Sequence, residues 1–328
     1  MTGAFVVSLD LELMWGVRDK RTVTSYGDAV LGERQAIPGM LQRFAANDIR
    51  ATWATVGMVF ARDRRDLLNH APALRPAYAD ANLSPYGALE DLIGSDEGVD
   101  PLHYGRDLVA QVAATPGQEV ATHTFSHFYC LEPGQTIAAF EADLEAARAI
   151  ASGEGLSLRS IVFPRNQMTP EHIAAAHRQG IDCYRGNPGT YAYRSRSGAE
   201  NSAMVRATRL LDAVVPLDGA HGYQLREVAE GPFNIPASRF LRPYVRKAPA
   251  FSALHLRRVM GEMTEAARKG LMYHLWWHPH NFGRNTEQNL AMLDRLLAHF
   301  QMLKREHGMA SASMGDLAER RLSAAAGT

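Results

Sequence analysis

Short apolar, β-branched runs alternate along the chain with longer stretches of helical period. Residues 5–9, 51–59, 119–122, 160–163, 181–184 and 271–277 read as strands. Residues 38–47, 134–152, 170–179, 254–269 and 286–305 read as helices, several with proline at an early turn or glycine near the end. Repeated strand-then-helix order predicts an α/β fold with mainly parallel strands, whose ligands sit at the strands' carboxyl ends. Two stretches break the rhythm: 62–104, rich in Pro, Asn, Asp and Gly, and 186–250, with Pro188, Gly189, Gly198, Gly219 and Gly222. Both exceed ordinary connections, so they are expected to be lids or substrate-binding insertions on a single domain spanning 1–321. Residues 322–328 are small and polar and are expected to form a flexible tail.

Composition narrows the classes of function. With 46% hydrophobic and 21% charged residues in 328, the chain has the make-up of a folded globular protein. Lys plus Arg and Asp plus Glu both number 35, so the basic excess of a nucleic-acid or anionic-membrane binder is missing. No apolar run approaches the length of a bilayer span, and Met1 to Asp10 lacks the regions of a signal peptide, so a cytoplasmic location is expected. Cys130 and Cys183 are expected to be buried reduced thiols.

Four clusters could carry chemistry, and all fall at predicted strand ends. In Ser8-Leu9-Asp10-Leu11-Glu12, alternation puts both carboxylates on one side of a strand. In Thr122-His123-Thr124-Phe125-Ser126-His127, two histidines stand four apart, a spacing that on a helical turn points both imidazoles at one metal. Thr124 follows His123 where a zinc protease has glutamate, so any general base must come from elsewhere. Phe163-Pro164-Arg165-Asn166 offers a cation, and Trp276-Trp277-His278-Pro279-His280 offers two more histidines. Taken singly, each is ordinary: strand ends are polar, and a chain with 13 histidines contains chance pairs. Their coincidence at one end of an α/β fold is what points to a site. One carboxylate plus His123 and His127 makes a catalytic ligand set with an open position for water, leaving the other carboxylate as base.

In this order the elements resemble the polysaccharide deacetylases with the NodB homology domain, a group similar to carbohydrate esterase family 4. Asp10/Glu12, His123/His127, Pro164/Arg165 and His278 follow one another as that family's motifs do. Ala51-Thr52-Trp53-Ala54 looks like its Ala-Thr-Phe-Phe strand, and Gly117-Gln118-Glu119-Val120-Ala121-Thr122-His123 looks like its approach to the first histidine. The spaced Asp10-Leu11-Glu12 replaces the family's usual adjacent Asp-Asp pair, as in its allantoinase-like branch. The resemblance implies a distorted (β/α) barrel of about seven parallel strands.

It also implies a metal-dependent hydrolase removing an N-acetyl group from an amino sugar, with a cytoplasmic surface-polysaccharide precursor, nucleotide- or lipid-linked, as the expected substrate. Glu12, His123 and His127 would hold a divalent cation, zinc foremost, though iron, cobalt, nickel or manganese suit the same ligands. Asp10 would act as base, held by Arg165, and His278 as acid; His280 would orient His278 or contact substrate. Trp15 is a candidate for stacking on a sugar ring, whereas Trp276 and Trp277 read as core. Two rivals stand beside this reading: the same fold acting on another amide, by allantoinase-like ring opening or sugar deformylation, and a non-catalytic carbohydrate-binding relative.

Overall fold

Strand β1, Ala4–Leu11, is buried along all but its first residue, and the rest of the sheet is laid down on its two edges. The computed structural model describes residues 2–89, 93–217, 219–224 and 231–326. The remaining strands are β2 (Ala51–Thr55), β3 (Glu119–Thr122), β4 (Ser160–Ile161), β5 (Cys183–Tyr184), β6 (Phe233–Asn234), β7 (Arg239–Phe240), β8 (Met272–Trp277) and β9 (Ala310–Ala312). Among the described residues the α-helices are α1 (Val23–Ala46), α2 (Arg64–His70), α3 (Arg106–Ala114), α4 (Ile137–Gly153), α5 (Pro170–Arg178), α6 (Ala203–Asp212), α7 (Pro249–Arg268), α8 (Thr286–His307) and α9 (Met314–Ala326).

All strand pairings are parallel, in the order β6-β5-β4-β3-β2-β1-β8-β7, with β9 beside β1. β1 accommodates three neighbours because β9 pairs with Ala4 to Val6 and β2 with Val7 to Leu11. The outer strands β6 and β7 follow one another in sequence. Ile235 and Ala237 donate to Tyr184 and Gly186 on the β5 side, and Ser238 and Leu241 donate to His274 and Trp276 on the β8 side. One short stretch therefore bridges both edges and turns the sheet into a barrel. This is the expected distorted (β/α) barrel, with nine strands among the described residues rather than about seven; four of them, β4 to β7, are only two residues long.

Several boundaries differ from expectation. Helix α1 begins fifteen residues ahead of Pro38, which lies inside it; the true start is a capping box in which Thr22 and Ser25 satisfy each other's main-chain N–H groups. Residues 62–104 and 186–250 include α2, α6, β6 and β7, while 90–92, 218 and 225–230 lie outside the described residues. Helix α9 continues to Ala326 through part of the expected tail, and 327–328 are not described. Both cysteines are buried free thiols, as expected. No helix among the described residues is long and apolar enough to cross a membrane.

Two buried histidines make stability depend on pH. His255 accepts from the Arg242 N–H and holds the Ala213 carbonyl, and His274 holds the Ile235 carbonyl and meets the Ser8 hydroxyl. Burial lowers their pKa values to about 4 and about 3. The unfolded chain therefore takes up protons first. Their contribution is complete above about pH 6.5 and is lost as pH falls through the folded values, by about 1–2 kcal/mol each at pH 5. Asp143, pushed up to about 6 by burial, and Glu33 and Glu97, also raised by burial, work in the opposite direction, but the lowered histidines, which also include His172 at about 4, outnumber them. Urea midpoints measured from pH 7 to 5 should fall; a flat profile would contradict this account.

Candidate metal centre

Past Leu11 the chain turns sharply, with Leu13 at φ 50°, and drops the Glu12 side chain over the end of the barrel. A Cβ at Gly16 would collide with the Glu12 carboxylate, so glycine there makes room for it. From β3, the His123 N–H donates to Thr55 on β2, and the following segment is a loop rather than the helical turn expected for a four-residue histidine spacing. Thr124 and His127 both adopt left-handed backbone, at φ 64° and 59°, which brings the two imidazoles together without a helix. Asp143, reaching in from α4, accepts from the N–H groups of Phe125 (2.7 Å) and Ser126 (3.2 Å) and from the Ser126 hydroxyl. Replacing it with alanine would leave those buried donors unpaired. We expect Asp143→Ala to cost about 3 kcal/mol in urea unfolding; a loss below about 1 kcal/mol would show that the loop holds itself.

The carboxylate and both rings converge. His123 Nε2 lies 3.0 Å and His127 Nε2 3.2 Å from Glu12 Oε1, and one ligand atom from each residue falls within 4.8 Å of the others. His123 Nδ1 stands 2.7 Å from the Val162 carbonyl, which can only accept, so Nδ1 carries a proton and, in the neutral ring, Nε2 presents a lone pair to Glu12. Burial lowers the pKa of His127 to about 4, and its Nδ1 has no hydrogen-bond partner among the described residues. Burial opposes ionisation of Glu12, yet the surrounding imidazoles outweigh it and hold the group well below the usual carboxylate range. Its ion-pair partners among the described residues are three histidines, with no arginine or lysine. A lone pair of His123 turned toward a buried carboxylate oxygen repels it unless a proton or cation lies between them. These residues therefore fit a divalent cation, with two nitrogens and one oxygen as donors.

Asp10 is two residues back on the same side of β1, but its expected partner is a different arginine. Arg165 turns away: it pairs with Asp19, approaches Glu132 at 4.0 Å and stacks over Tyr129 at 4.2 Å. Arg185, just past β5 and fully buried, grips Asp10 instead, with Nη1 to Oδ1 and Nη2 to Oδ2 both at 2.7 Å. Its Nη1 also donates to Ser8 and its Nη2 to Asn166, and its Cζ lies over the Trp276 ring, 4.2 Å from the centroid. Burial works against the Asp10 carboxylate, and Arg185 more than compensates, lowering its pKa. Position after a strand misled the choice, because Pro164–Asn166 forms a tight turn with Arg165 at φ 54° that sends its side chain across the barrel mouth. The alternation of buried Cys183, half-buried Tyr184 and buried Arg185 was the available signal for the inward-facing arginine.

His278 completes the group, with Nε2 3.6 Å from Glu12 and 3.8 Å from Asp10 and its side chain 23% exposed. His280 stacks on it with centroids 4.9 Å apart and is itself buried, so it supports His278 rather than reaching solvent. Trp15 is not a stacking platform: it is buried, and its indole N–H donates to the His103 carbonyl at 2.7 Å. A cleft of about 1000 Å³ opens beside His278 and is lined also by Asn166 and Trp276.

No family model and no curated protein matches the sequence. Solved structures do match. A protein assigned as a polysaccharide deacetylase from Mycobacterium smegmatis superposes over 98% of this chain and 91% of its own at TM-score 0.62 and 14% identity. The fold is that of the polysaccharide deacetylases. Another protein so assigned, from Pseudomonas aeruginosa PAO1, matches at TM-score 0.54 and 11% identity over 96% of this chain and 89% of its own. Puue allantoinase matches at 0.57 and 12% over 98% and 90%. In this barrel, Glu12, His123, His127, Asp10 and His278 all gather where β1, β3 and β8 end, as their sequence positions predicted.

Proposed function

We propose that this protein is a metal-dependent hydrolase that removes an N-acetyl group from an amino-sugar substrate, a precursor of a surface polysaccharide. The convergence of Glu12, His123 and His127, flanked by Asp10 and His278 beside an open cleft, is the observation that carries the reading. The three ligands would hold a divalent cation, zinc foremost, which when bound supplies Lewis-acid polarisation of an acyl oxygen and a more acidic water. Asp10 takes a proton from the attacking water. Arg185 fixes the direction of that carboxylate through two parallel hydrogen bonds while lowering its basicity. His278, reachable from the cleft, gives a proton to the sugar nitrogen as the C–N bond breaks, so that an amine and acetate leave instead of an amide anion.

A second reading, hydrolysis of another amide, is favoured by the likeness to Puue allantoinase. The two separate in one experiment: metal analysis of the purified protein, followed by comparison of acetate release from N-acetylated amino sugars with hydrolysis of allantoin and of formamides. Acetate release supports the first reading, and turnover confined to allantoin or formamides overturns it in favour of the second. Metal-free protein that still binds sugar would sink both.

A further inference from the structure

We infer that the cleft beside His278 contains a binding site for a phosphate or diphosphate group, so that the substrate is a phosphorylated N-acyl sugar. Six cations line the cleft without a carboxylate in ion-pair range among the described residues: Lys20, Arg194, Arg196, Arg206, Arg209 and Arg242. The acids on the same walls are occupied elsewhere. Asp19 and Glu132 face Arg165, and Asp80 accepts the Asn82 N–H at 3.0 Å. The seventh arginine lining the cleft, Arg239, is neutralised by Glu262 and Asp212. In a chain with 35 acidic and 35 basic residues, this local surplus is a property of the cleft and not of the composition.

Three of the six are half-buried and held in place. Arg196 donates to the Tyr191 carbonyl at 2.6 Å and to those of Ala192 and Arg194 at 3.4 and 3.2 Å. Arg209 Nε donates to the Ala192 carbonyl at 2.7 Å, and Arg242 Nη2 to the Arg209 carbonyl at 3.1 Å. Main-chain carbonyls orient a guanidinium without cancelling its charge. Burial, and then neighbouring arginines, lower the pKa of both Arg209 and Arg242, a strain that a bound anion relieves. Planar guanidinium forks match the oxygens of a phosphate group, and a cluster of them suits a ligand with two or more negative charges better than a lone carboxylate. Because the same cleft reaches His278, an anion seated there places the rest of its molecule toward Glu12 and Asp10.

This inference takes from the hydrolase reading only which end of the cleft reacts, and its test reads binding rather than turnover. Inorganic pyrophosphate titrated calorimetrically into the full chain should bind saturably. Affinity should fall at least about tenfold in the double variant Arg209→Gln/Arg242→Gln. It should also fall in Arg206→Glu, an exposed position whose replacement leaves the core untouched. His123→Ala should leave pyrophosphate affinity unchanged, which separates the arginine site from chelation at the metal centre. Absent binding, or binding lost in His123→Ala and retained in the arginine variants, overturns the proposal. Competition by uridine diphosphate or by farnesyl diphosphate distinguishes a nucleotide-linked from a lipid-linked source; failure of both to compete rejects the phosphorylated substrate. A protein that binds pyrophosphate as described but hydrolyses no amide would refute the hydrolase reading and leave this site standing.

Discussion

Replacing Glu12 with glutamine should strip the protein of its divalent metal and lower amide hydrolysis by about a thousandfold or more. The substitution keeps the shape of the side chain and removes only its charge. The Nε2 atoms of His123 and His127 are then the remaining donors of that set, too few to hold a hydrated dication against solvent. The rate effect follows from losing electrostatic stabilisation worth several kcal/mol at the reacting centre. The measurement is metal content by elemental analysis alongside initial rates, with circular dichroism to verify the fold. Glu12→Gln protein that retains stoichiometric metal would remove this carboxylate from the ligand set.

The second large effect concerns stability. Arg185→Ala is expected to lower the unfolding free energy by about 3–5 kcal/mol, because it leaves Asp10 as a buried charge without its bidentate partner. Lysine should not rescue it, since a single ammonium cannot supply two parallel donors along with the bonds to Ser8 and Asn166. Removing both charges together, as Asp10→Leu/Arg185→Met, should recover most of the loss in urea unfolding while abolishing any activity that needs Asp10. A loss below about 1 kcal/mol in the single variant would mean that Arg185 is not what holds the carboxylate.

The parts of the site legible in the sequence are those whose chemistry and strand position coincide. Glu12, His123, His127 and His278 are residue types with few structural duties at the end of a buried strand, so locating the strands nearly located the site. The backbone between the two histidines was not legible, because the left-handed conformations of Thr124 and His127 are imposed from outside by Asp143, which lies far along the chain on α4. Arg165 and Arg185 present the same signal of a cation after a short strand. Only the pleat of β5 separates them, and two residues of strand are too few for a clear period. Trp15 shows the opposite failure: proximity to a motif suggested function, but the indole is consumed by a main-chain carbonyl. Strands β6 and β7 are two residues each and, unlike the equally short β4 and β5, lie in a proline- and glycine-interrupted stretch without an apolar run to mark them.

The stretch joining β6 to β7 does two jobs at once. Ala237, Ser238, Arg239 and Phe240 line the cleft, and the N–H groups of Ala237 and Ser238 are the rungs, at 2.9 and 2.7 Å, that tie the barrel's two free margins together. Cleft width and barrel circumference are therefore one mechanical variable. A guest too wide for the groove would have to unzip the barrel at its seam, forfeiting about 1 kcal/mol for each rung parted, so the fold itself acts as a gauge of what fits.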